Sequence, residues 1–125
     1  MSGKRLLLDT NAVVALLQGN ERLLKLTSEV EWIGISIISE IEFLCFSGLT
    51  QSDRDLFAKF LGRIEIVDVH SSEPRLVEQA IEIRRSFRVR LPDAIVAASA
   101  LARNASLVTA DQQLSVVKDL MILSF

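Results

Sequence analysis

Short apolar runs of strand length alternate with helix-forming stretches along this chain, and nothing between them marks a hairpin. The first run, Arg5–Leu8, is apolar on both faces, the pattern of a central strand covered on both sides. Further strands are expected at Trp32–Ile38, at Ile64–Val69, at Leu107–Thr109 and at Met121–Leu123. Helical stretches separate them. They are Ala12–Leu17, a segment capped by Asn20 with Leu23, Leu24 and Leu26 turned inward, and Ser39 to about Gly48. A helix starting at Ser52 or Asp53 places Leu56, Phe57, Phe60 and Leu61 on one face and stops at Gly62. Ser72 to about Phe87 follows, with Leu76, Val77, Ala80, Ile81 and Phe87 on its apolar side. Asp93 to about Arg103 is Ala-rich and apolar nearly all round, with Pro92 suited to its first turn, and Gln112–Val117 forms a short last helix. This alternation predicts a three-layer α/β/α sandwich with a mainly parallel sheet.

The chain has 125 residues, half of them apolar, and no linker or repeat interrupts it. One domain spanning residues 1–125 is expected, with a core that needs no disulfide staples. Cys45, the single cysteine, lies in an apolar run and reads as a buried, inert thiol. The N-terminus lacks the apolar stretch of a signal peptide, and no segment is long enough to span a bilayer, so a cytoplasmic protein is expected. A net charge of −2 excludes a polycation that wraps nucleic acid nonspecifically. A local basic cluster remains: Arg84, Arg85, Arg88 and Arg90 lie just ahead of Asp93. They form either a solvated helix face partnered by Glu78 and Glu82 or a rim that contacts phosphates beside the acidic residues.

Asp9, Glu42, Asp93 and Asp111 each sit where an apolar strand hands over to a helix. In an open parallel sheet these junctions line one crevice at the carboxyl ends of the strands. Taken singly, each acid also suits a helix start: Asp9 and Asp111 as caps, Glu42 in a capping box with Ser39, Asp93 as a dipole partner. Taken together, caps alone would not require four mutually repelling carboxylates where Ser, Thr or Asn would serve. Oxygen ligands without His or Cys point to Mg²⁺, or Mn²⁺ in its place, rather than zinc. Thr10, Asn11, Ser39 and Thr109 stand beside the acids as short polar groups able to orient carboxylates. His70, the only histidine, lies away from these motifs and reads as an exposed turn residue. Phosphodiester hydrolysis is the chemistry such a site serves best.

The motifs resemble those of the PIN domains, and among them the VapC-type toxins of type II toxin–antitoxin pairs. Leu7-Leu8-Asp9-Thr10-Asn11 is similar to the family's opening strand, and Ser36 to Phe43 to its Ser/Thr-then-Glu segment, with Glu42 as the family glutamate and Glu40 its neighbour. Leu91-Pro92-Asp93-Ala94-Ile95-Val96-Ala97-Ala98 resembles its Asp-Ala helix start, and Leu107-Val108-Thr109-Ala110-Asp111 its closing strand. The resemblance implies a Mg²⁺-dependent endoribonuclease with Asp9, Glu42, Asp93 and Asp111 as catalytic acids. Asp9 and Asp93 would stand closest to the metal, with Asp111 a further ligand and Glu42 nearby. It also implies a homodimer and a small antitoxin whose tail occupies a groove leading to the site. Phe43, Ala110 and Gln112 depart from the commoner family residues without touching a carboxylate.

Other readings of the chain make different demands. A phospho-acceptor receiver needs an acidic pair at the first strand and a Lys after the last, and neither is present. A haloacid-dehalogenase-like phosphatase needs Asp-x-Asp, where this chain has Asn11. A catalytically silent PIN module that binds RNA or protein, or a PIN nuclease of RNA processing without an antitoxin, stays open.

Overall fold

The structure is a computed structural model describing residues 4–125; residues 1–3, on which part of the expectation about the N-terminus falls, lie outside it. Five strands, β1 (Arg5–Leu8), β2 (Trp32–Ser36), β3 (Glu65–Val67), β4 (Ser106–Val108) and β5 (Ile122–Leu123), form one sheet. Their order is β3-β2-β1-β4-β5, and every neighbouring pair is parallel. The helices are α1 (Thr10–Leu17), α2 (Glu21–Ser28), α3 (Ile37–Leu44), α4 (Gln51–Leu61), α5 (Pro74–Phe87) and α6 (Leu91–Ala102), with a 3-10 turn at Gln113–Val116.

The central position expected for Arg5–Leu8 is the one observed, and its three leucines are at most 1% exposed. Because strand side chains alternate between faces, Leu6 and Leu8 enter one core and Leu7 the other. Leu6 and Leu8 pack with Val13 of α1, Leu23 of α2, Phe43 of α3 and Phe57 of α4. Leu7 packs with Leu76 and Ile83 of α5 and Ala94 and Ala97 of α6. Helices therefore cover both faces, giving the three-layer sandwich that the alternation demanded. Alanines fill the buried face of α6, which lets its backbone lie close to the sheet and to α5. In β2, a Cβ added to Gly34 would come within 2.8 Å of the Glu65 carbonyl and closer still to the Trp32 ring, so only glycine lets that ring lie across the strand.

Several boundaries differ from those expected. β2 ends at Ser36, where its partner β3 runs out at Val67; Ile37 and Ile38 then open α3 rather than extending the strand. Ser36, not Ser39, is the N-cap of α3, its hydroxyl accepting from the Ile38 amide, so Ser39 and Glu42 form no capping box. α3 stops at Leu44, which puts Cys45 at the C-cap and exposed rather than buried. α4 begins one residue early behind a Thr50–Asp53 capping box. The strand expected at Ile64–Val69 narrows to Glu65–Val67, and α5 starts at Pro74 instead of Ser72. Leu24, Leu56 and Ile81, read as inward, are exposed, while Ile83 takes the buried place on α5. Helical spacing tolerates either choice; the direction of the neighbouring layer decides it. Asn20, Gly62, Pro92 and His70 stand as expected: cap, stop, first-turn proline and exposed turn residue.

Candidate active site

The chain runs from β1 to β2 and β3 on one side, then crosses back to place β4 on the other side of β1. Loops leaving β1 and β4 thus diverge, and ligand crevices form at such switch points. Asp9 follows β1, Thr109 to Asp111 follow β4, Glu42 stands on α3 after β2, and Asp93 lies in the first turn of α6.

Asp9 is gripped from two sides. The Thr10 amide donates to its Oδ1 (2.8 Å), and the Thr109 hydroxyl donates to its Oδ2 (2.9 Å). The Thr10 hydroxyl donates to Glu42 Oε1 (2.6 Å), so one residue ties the first acid to the second. Asn11 bridges to the far wall: its Nδ2 donates to Thr109 Oγ1 (3.3 Å), and its Oδ1 accepts from the Ala110 amide (3.1 Å). The Asp111 amide donates to Thr109 Oγ1 (3.0 Å), while Asp111 Oδ1 accepts from the Gln113 amide (2.9 Å). Asp111 therefore stabilises the turn into the 3-10 segment instead of capping the α-helix expected there.

Electrostatics bind the four acids into one unit. Burial pushes the Asp9 carboxyl above its ordinary value, against the Thr10 and Thr109 hydrogen bonds, and the charges of Glu42 and Asp111 push it the same way. Burial likewise raises Asp93, aided by the charge of Asp9 and, more weakly, of Glu42 and Asp111, while Arg90 opposes the shift. The charges of Glu42 and Asp111 thus reach both Asp9 and Asp93 across the crevice. Ser39 is buried, and its hydroxyl has no hydrogen-bond partner among the described residues.

The donor set consists of carboxylate and hydroxyl oxygens, and the neighbouring negative charge that adds to burial in raising Asp9 and Asp93 is what a cation would relieve. Among the described residues, no three acidic, His or Cys side chains close into a cage of their own. That openness suits Mg²⁺, which keeps several waters and takes only one or two carboxylates directly, and the residues present fit such an ion.

Of the basic cluster, Arg90 is the member whose charge acts on Asp93. Arg84, Arg85, Arg88 and Arg90 are all exposed, and the ion pairs present among the described residues join other partners: Arg5 to Glu31, and Arg103 to Glu65 and Glu73. The helix-face partnership with Glu78 and Glu82 is not formed.

A groove of about 300 Å³ lies between α1, α3 and the start of α4, its apolar lining formed by Val14, Leu17, Phe43, Phe46, Leu49 and Leu56 and its polar lining by Gln18, Ser47 and Asp53. α1 and α3, whose first turns carry Thr10 and lead to Glu42, also build its walls. Phe43 of α3 and Phe57 of α4 are buried and stacked with ring centroids 4.0 Å apart. Phe60 and Leu49 are half-buried, and Phe46 is exposed. The contributions of Val14 and Leu17 left no mark in the sequence, because α1 is apolar on every side.

The PIN domain family profile matches residues 6–120, and the chain belongs to the PIN domain family. Its fold is similar to that of solved toxin–antitoxin assemblies. VapBC2 from Rickettsia felis, bound to a DNA fragment from its promoter, contains a chain 21% identical with a TM-score of 0.80, the match covering 97% of this chain and 98% of that one. A toxin–antitoxin complex from Klebsiella pneumoniae matches at 20% identity and a TM-score of 0.76, over 94% of this chain and 95% of the other. FitAcB from Neisseria gonorrhoeae matches at 21% and 0.67, over 94% and 96%. No curated protein matches the sequence.

Proposed function

We propose that this PIN domain is a Mg²⁺-dependent endoribonuclease and the toxin of a type II toxin–antitoxin pair. The observation that carries the reading is the coupled crevice: Asp9 and Asp93 are raised by burial and by one another's neighbours at the switch point of a parallel sheet. Asp9 and Asp93 would hold the cation, with Asp111 joining through a bound water. Bound there, a divalent cation supplies Lewis acidity toward a phosphodiester and offsets the charge that builds during its cleavage. Glu42 keeps Oε2 free of the Thr10 bond, which suits it to orient the attacking water and take its proton. Thr10 and Thr109 hold the acids in place.

The groove walled by α1 and α3 supports a small antitoxin as partner. The solved assemblies with similar folds support the same reading. Exposed Leu91, Val116 and Met121 leave apolar surface for a second copy of the chain. No helix among the described residues is long and apolar enough to cross a membrane, in keeping with action on RNA in the cytoplasm.

Incubation of the purified protein with labelled RNA tests the activity. Cleavage is expected with Mg²⁺ or Mn²⁺ and should vanish in EDTA; binding without cleavage in every metal would favour the silent module. The exposed arginines should contribute affinity instead of chemistry. Replacing Arg85 and Arg88 together by Ala is expected to weaken RNA binding. It should also flatten the log–log salt dependence by roughly 1–1.5, the value for two lost phosphate contacts on a single strand. An unchanged slope would return the cluster to a solvated surface.

A further inference from the structure

We infer that Thr109 is the positioning residue that sets the direction of Asp9, through a hydroxyl whose single proton has only one place to go. The inference rests on the metal-site reading above and extends it to a residue that touches neither metal nor RNA.

Thr109 is fully buried immediately after β4, and its Oγ1 has three partners. Two of them, the Asp111 amide (3.0 Å) and Asn11 Nδ2 (3.3 Å), donate to it. The Asn11 orientation is itself determined, because its Oδ1 accepts from the Ala110 amide at 3.1 Å. A hydroxyl offers one proton and two lone pairs. With both lone pairs occupied by N–H donors, the proton must point at the third partner, Asp9 Oδ2 (2.9 Å). The bond is therefore directed by its surroundings, not chosen among rotamers.

Two consequences follow for the crevice. Asp9 Oδ2 is pinned on the β4 side while Oδ1 is pinned by the Thr10 amide, so the carboxylate cannot rotate and each oxygen presents its remaining lone pair in a fixed direction. The same hydroxyl that orients Asp9 also receives the Asp111 backbone, so one atom sets the spacing between two of the four acids. Asn11 and Ala110 close the clasp across the junction between the start of α1 and the loop after β4. Orientation of a carboxylate by a buried neighbour is the kind of support that metal sites depend on.

The test compares wild type, Thr109→Val and Thr109→Ser in the full chain. Val keeps the volume and loses the proton; Ser keeps the proton and loses a methyl. Mn²⁺ affinity is read by electron paramagnetic resonance without RNA, and cleavage rate is read separately with saturating metal. Thr109→Val is expected to weaken Mn²⁺ binding by about tenfold or more, the lower end for loss of such a supporting partner, and to lower the rate as well. Thr109→Ser should restore affinity to near wild type. In an Asp9→Ala background the Val substitution should add little, because the acceptor of the hydroxyl is gone. Wild-type affinity in a folded Thr109→Val protein would overturn the inference. So would a chain in which Val and the equally small, weakly donating Cys both fail to fold while Ser folds, since the hydroxyl would then be a determinant of folding. If the wild type itself bound no Mn²⁺, the metal-site reading would fail first, and the two failures are told apart by that control.

Discussion

Asp9→Asn and Asp93→Asn are each expected to lower metal-dependent RNA cleavage by well over a hundredfold, more than the loss of a supporting partner alone produces. Both acids are raised by burial and by neighbouring charge, so each sits where a cation would be gained and where a neutral amide gives little in return. Glu42→Gln should also lose most activity, whereas Glu40→Gln should be nearly silent. Glu42 is the glutamate held by Thr10 at 2.6 Å, and the two side chains, two residues apart on α3, point to different sides of the helix. A folded Asp93→Asn protein with near-normal cleavage would remove Asp93 from the site.

The same variant carries a stability signature of opposite sign. Asp93 has a folded-state value above the unfolded one, so its contribution is full at pH below the ordinary carboxylate range and is lost as pH rises through the folded value. At neutral pH without metal the charged group therefore costs stability. Asp93→Asn should melt higher than wild type in EDTA, by about 1 kcal/mol or less at this partly exposed position. The gain should disappear on acidification, where the wild-type group is neutral too. Mg²⁺ should raise the melting point of wild type by mass action and leave the variant nearly unmoved. A residue serving only the helix dipole would lose roughly 0.3–1 kcal/mol on the same change, with or without metal. Melting curves in EDTA and in Mg²⁺ separate the two by sign.

Phe57→Ala is expected to be the most damaging single change to the fold. Phe57 is 1% exposed, stacks on Phe43 at 4.0 Å and anchors α4 to the face of the sheet that carries Leu6 and Leu8. Truncating such a residue leaves a cavity and costs about 3–5 kcal/mol. For a domain of this size that corresponds to a fall in melting temperature on the order of 10–20 °C. Phe46→Ala, on an exposed ring of the groove, should cost far less stability while weakening capture of the proposed antitoxin. Equal destabilisation by the two would mean that the groove is part of the core.

The central strand was legible because three consecutive leucines after Arg5 admit no solvent-facing side, and a strand buried on both faces belongs inside a parallel sheet. Asp9 and Asp111 were legible as junction residues, each lying just past a strand, whereas Asp93 follows α5 rather than a strand and Glu42 lies inside α3, so the strand-to-helix handover expected at those two is not formed. The Asn20 cap, the Gly62 stop and the Pro92 start were likewise local signals with local causes. The end of β2 was not: Ile37 and Ile38 suit a strand as well as a helix, and what ended the strand was the exhaustion of its partner at Val67, thirty residues away. Cys45 and Leu56 went the same way, since periodicity gives the spacing of a face but not which neighbour it meets. What a sequence of this kind determines by itself is the alternation of elements and the chemistry placed at their ends. The tertiary structure alone decides which ends meet, because the bonds that orient Asp9 and tie it to Asp111 join residues about a hundred positions apart and exist only once β1 and β4 are side by side.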